Sequence, residues 1–192
     1  MRTSGTSAAL LQRLRGSRAS TVSAVLVLST LVTLLGACSS GPGARAWAAE
    51  VCTVLSPWRT EISTLTSRTQ QQMTAETTPA QAKENLSRLF RGAENASEVA
   101  RAGVERAGVP DVDQGKDVAA GFITSLGAMR DAYGRARSGI DALDTSPPDA
   151  FYTNVRSVVQ TLNTEYSHSE LDTSRLDSVE LKQAFDEAPE CS

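Results

Sequence analysis

From position 45 onward, apolar residues recur three and four apart, the period of one helical face, and no stretch shows the alternation of a half-buried strand. The first helix begins near Arg45 and aligns Trp47, Val51, Val54, Leu55, Trp58, Ile62 and Leu65 on one side. Pro57 falls inside it. Proline lacks the donor for the carbonyl of residue 53, so the pattern predicts either a kink or a break restarted with Ser56 as cap. The second helix opens sharply at Thr78-Pro79 with Gln81 completing a capping box. Its seam is narrow and built of small residues: Ala82, Leu86, Leu89, Ala93, Ala96, Ala100, Gly103 and Ala107, with Phe90, Val99 and Val104 beside it. Gly108 and Pro110 supply the stop.

The clearest heptad lies between Asp113 and Leu143. Ala119, Leu126, Tyr133 and Ile140 alternate with Phe122, Met129, Ala136 and Leu143 to give a continuous stripe on a third helix. Gly121, Gly127, Gly134 and Gly139 weaken its intrinsic helicity, so packing must hold it. Ser146-Pro147 opens a fourth helix with Phe151, Val155, Val158, Leu162 and Tyr166 on its apolar face. Asp177 and Glu180 form a capping box for a short fifth, flanked by a staple of Leu176 on Leu181. Ala184, Phe185 and Ala188 continue its apolar side and Pro189 ends it. The predicted fold is all-α: an up-down four-helix bundle with a short C-terminal fifth helix.

The beginning of the chain is different. Arg2, Arg13, Arg15 and Arg18 precede an uncharged run from Ala19 to Leu35, and Leu34-Leu35-Gly36-Ala37-Cys38 follows directly. This order is that of an export signal. The pentapeptide resembles the lipobox of bacterial lipoproteins. The resemblance implies that the Cys38 thiol receives a diacylglyceryl group and that cleavage leaves Cys38 as the new N-terminus. Residues 1–37 are then a lipoprotein signal peptide, 38–44 a flexible tether rich in Ser and Gly, and 45–192 the helical domain. A transmembrane helix and ordinary secretory cleavage after Ala37 are the competing readings. The lipobox reading places the protein on the extracytoplasmic face of the cell membrane, anchored through acylated Cys38. Two chains anchor stably where one holds only marginally.

Removing residues 1–37 from the 192-residue chain leaves 155, enough for one domain with a core. It also changes the charge. Four of the 19 Lys and Arg leave with the signal; fifteen remain against all 22 Asp and Glu, a formal charge of −7 in place of −3. Such a surface repels phosphate backbones, so no nucleic-acid partner is expected.

The three cysteines resolve in the same way. With Cys38 consumed by lipid, Cys52 and Cys191 remain as a pair in an oxidising compartment. Four long helices joined by short connections bring the chain back to the end where it entered. Cys52 lies about two turns into the first helix and Cys191 follows the fifth, so both fall at that end and a disulfide closes the domain. The competing reading, a reactive or metal-binding pair, lacks a third and fourth ligand. Trp47…Cys52…Trp58 after a lipobox, with a near-terminal Cys191, resembles small actinobacterial lipoproteins. That resemblance carries no activity and no functional residue across.

Chemistry is sparse. His168 is the single histidine, and a histidine at a helix C-terminus complements the dipole. No Ser-His-Asp set, G-x-S-x-G or H-E-x-x-H occurs. Glu94 with Glu98, Asp113 with Asp117, and Glu187 with Glu190 are spaced for helix faces, without the Glu-x-x-His that a dimetal bundle site needs. No catalytic residue, metal ligand or cofactor is therefore expected. Trp47 reads as a core residue by periodicity or, nine residues after Cys38, as a headgroup anchor. The function expected is a non-enzymatic interaction or envelope-accessory module with an exported or envelope protein as partner; the alternative is a small-ligand carrier with a pocket between helices.

Overall fold

The computed structural model describes residues 41–168, Leu176 and 178–191; residues 1–37, expected to be a signal peptide, as well as Cys38 and Asp177, lie outside them. Five helices follow in order: α1 (Ala44–Gln72), α2 (Pro79–Ala107), α3 (Gly115–Asp141), α4 (Pro148–Ser167) and α5 (Val179–Glu187), with a 3-10 turn at Pro189–Cys191. They form the up-down bundle with its short C-terminal addition. None of the described helices is long and apolar enough to cross a membrane.

α2 is the central rod, packed against α1 on one side and α3 on the other. α4 lies on α3 and touches α2, while α5 and the 3-10 turn lie on α1. Of the small-residue seam, Ala82, Ala93, Ala100 and Gly103 are fully covered, joined by Phe90, Ser97 and Val104. At Gly103 the helices approach so closely that a Cβ would fall 2.6 Å from Val54 Cγ1. The α3 heptad is buried from Ala119 to Ile140, with Leu143 half-buried past the helix end. Val99 departs from expectation. It is 69% exposed, because it sits on the solvent rim of the α1–α2 contact rather than within it.

Helix boundaries follow local chemistry. Thr78 Oγ1 accepts from Gln81 N at 3.3 Å and Gln81 Oε1 accepts from Thr78 N at 2.9 Å, the reciprocal capping box. Gly108 stops α2 with φ +76°, a backbone region open to glycine. The start of α3 is later than the sequence predicts, at Gly115 and not Asp113. Gln114 takes a left-handed conformation there, and Gly115 packs so tightly on Pro110 that a Cβ would lie 2.1 Å from its carbonyl oxygen. α5 is also capped one residue later than expected: Ser178 Oγ accepts from Leu181 N at 3.3 Å. Leu176 and Leu181 both join the main core cluster.

Pro57 does not break α1, which runs unbroken through it with no cap at Ser56. A proline inside a helix costs about 3 kcal/mol. The apolar stripe continues in register across it, from Trp47, Val51 and Leu55 to Trp58 and Leu65, all buried. Each fully buried side chain of that size contributes roughly 1.5–3 kcal/mol, so keeping both halves docked outweighs the proline cost. Pro57 itself is on the exposed face.

Two glycine substitutions should move stability in opposite directions. Gly103→Leu collides with Val54 and should lower unfolding free energy by roughly 1–3 kcal/mol. Gly121→Ala, with open space around its Cβ, should raise it by up to about 1 kcal/mol. Urea titration followed by circular dichroism reads both.

Candidate functional site

The best-built region is the end of the bundle where the chain enters and leaves. Trp47 is fully buried there (0% exposed), so the periodicity reading prevails over a headgroup position. Its ring meets Phe122 of α3 edge-on at 5.5 Å and Phe185 of α5 at 5.9 Å, while Phe122 and Phe185 stack at 5.8 Å. Its indole Nε1 donates to the Gly108 carbonyl at 2.9 Å, satisfying the polar atom that burial would otherwise strand. Trp58 solves the same problem with a neighbouring hydroxyl, donating to Ser97 Oγ at 3.1 Å.

Cys52 and Cys191 are joined, with Cα atoms 5.0 Å apart and 139 positions of separation along the chain. Cys52 is buried on α1 and Cys191 half-buried on the 3-10 turn. Closing so long a loop restricts the unfolded chain by about 5 kcal/mol in the entropic account. Arg45 adds an exposed ion pair to Glu187 at 2.7 Å across the same junction.

The entering segment is held as well. The Asp111 amide donates to the Pro42 carbonyl at 2.9 Å and the Trp47 amide to Gly43 at 3.0 Å. Gly41 lies so close to the α2–α3 loop that a Cβ on it would sit 1.9 Å from Val109 O. Nothing in the sequence marks Gly41 and Pro42 as docked on this loop; glycine and proline there read as plain linker.

Of the acidic pairs, Glu94 and Glu98 form an ion-paired helix face. Glu98 accepts from Arg101 Nη2 at 2.8 Å and from Arg130 Nη1 of α3 at 2.8 Å. Arg101 reaches on to Glu105 at 3.1 Å. Hydrogen bonds from Arg101 and then Arg130 hold the Glu98 carboxyl down at about 2, and the same bonds raise both guanidiniums. The contribution of Glu98 to stability is therefore complete above the usual carboxylate range and is lost progressively as pH falls from there through about 2. Glu94 lies 3.3 Å from Arg137 Nε and Glu165 accepts from Arg135. His168 caps α4, its Nδ1 2.6 Å from the Thr164 carbonyl. Among the described residues no group of three or more His, Cys, Asp or Glu could hold a metal ion.

Shallow grooves line the helix contacts. One of about 450 Å³ runs between α1 and α2, lined by Val54, Pro57, Trp58, Gly92 and Val99. Another, of about 580 Å³, lies beside the disulfide-bearing end between Arg45, Ala49, Glu187 and Pro189. A third, of about 330 Å³, is flanked by Lys83, Arg88 and Arg91 but also by Glu84 and Asp141. Comparison with protein-family models, curated proteins and solved structures finds no match to this chain.

Deep in the other half of the core, Tyr133 packs against Tyr166 at 6.2 Å. Burial, then the neighbouring phenol, pushes its pKa above the ordinary 10.0. A folded-state value above the unfolded one gives stability that is whole below pH 10 and is lost as pH rises further. Unfolding free energy measured by urea titration should fall above about pH 10, and Tyr133→Phe should flatten that decline.

Proposed function

We propose that the protein is an exported, lipid-anchored lipoprotein that acts as a non-enzymatic interaction or envelope-accessory module. The observation that carries this reading is Leu34-Leu35-Gly36-Ala37-Cys38 after an uncharged run flanked by Arg2, Arg13, Arg15 and Arg18. Support comes from the fate of the other two thiols. A disulfide between Cys52 and Cys191 fits an oxidising compartment, and it leaves Cys38 as the cysteine available for acylation. Arg101 and Arg130 hold the Glu98 carboxyl ionised, which suits an ion-paired helix face better than a general acid or base. The partner is the membrane lipid through acylated Cys38, and an exported or envelope protein.

The alternative, a small-ligand carrier, draws on the α1–α2 groove. A carrier site encloses most of its ligand's surface, and this groove is open to solvent. The first reading is therefore the better supported one.

Membrane fractionation of Cys38→Ala decides the anchor. The wild-type chain should partition to the membrane, and intact-mass analysis should show a diacylglyceryl mass on a chain beginning at Cys38. The variant should be released in soluble form. Equal attachment of the two would overturn the reading.

A further inference from the structure

The chain enters the bundle through a docked strap, and that has a consequence for how the domain meets a lipid surface. This inference rests on the lipid-anchor reading above. Gly41 and Pro42 do not lead away from the domain. They are fixed to the α2–α3 loop by the Asp111 amide on Pro42 O at 2.9 Å and by the close seat of Gly41 on Val109. The strap is continued by the buried Ala44 and by Trp47, whose indole holds Gly108 of the same loop at 2.9 Å. From Gly41 back to Cys38 are three residues, a covalent reach of at most about 11 Å. A free tether from Cys38 to Ala44 would reach about twice as far.

We propose that the α2–α3 loop, Gly108 to Gln114, with the N-terminus of α1 is the lipid-facing surface of the mature protein, and that the bundle stands on it end-on. α1 has 29 residues, so the turn between α1 and α2 lies about 40 Å away along the helix axis. The loop carries Asp111 and Asp113, so the short covalent reach from the docked strap, and not charge, sets this posture. The near end also carries Val109, an exposed apolar side chain (46%) next to the strap.

The test uses the mature acylated protein, purified from membranes and reconstituted into phosphatidylethanolamine–phosphatidylglycerol vesicles bearing a headgroup quencher. A fluorescent amino acid replaces either exposed Asp113 near the strap or exposed Ala75 at the far turn. Quenching should be several-fold stronger at position 113. Gly41→Ala, which cannot seat on Val109, should bring the two positions closer together while flotation with the vesicles is unchanged. Equal quenching at 113 and 75 in a protein that floats overturns the end-on posture alone. A ratio untouched by Gly41→Ala overturns the role of the strap. Failure of the wild type to float, or flotation of Cys38→Ser equal to wild type, overturns the anchor reading and this proposal with it.

Discussion

The covalent closure of Cys52 on Cys191 is the constraint around which the rest of the fold is arranged. α5 has nine residues, below the length at which a helix holds itself in water. Its backbone lies on α1, it meets α3 through Phe185 on Phe122, and its exposed ion pair to Arg45 is weak support. Yet it delivers Leu181 and Phe185 into the same cluster as Trp47 and Phe122. The disulfide fixes the end of this short segment beside α1, and the aromatic cluster then orders the remainder. Trp47 links the two ends of the chain. Its ring receives Phe185, and its nitrogen holds the loop on which the entering strap lies.

The body of the bundle works by a different rule. α2 sits between α1 and α3 because its small residues let both approach, at Gly103 to the limit that a missing Cβ allows. α3, weakened by glycine, is held by its buried heptad instead of by propensity. Pro57 is tolerated for the same reason: the apolar register on both sides of it outweighs one missing hydrogen bond. Across the α2–α3 contact, Arg130 meets Glu98 on the solvent side of this core. In each case tertiary packing decides where local preference alone would have given a different helix.

Period and punctuation made the helices legible from the sequence, and the cysteine pairing followed from a count together with topology. Thr78, Gln81 and Gly108 act as their residue types suggest. What stayed hidden depends on how helices rotate against one another. The Trp58–Ser97 bond and the reach of Arg130 to Glu98 join residues far apart in the chain. Val99 belonged by spacing to a covered face, but α1 ends its cover just short of it. Gly41 and Pro42 had the composition of a linker yet sit against the α2–α3 loop, a contact that only the fold reveals. Ser178 replaced Asp177 as cap because short capping signals overlap in register.

The clasp makes a direct claim about α5, and amide hydrogen exchange tests it. In the oxidised protein the α5 amides around Leu181 and Phe185 should exchange as slowly as those of α2 and α3. After reduction by a dithiol and alkylation of Cys52 and Cys191, they should exchange far faster, while α2 and α3 retain their protection. Undiminished protection of α5 in the reduced protein would contradict the account.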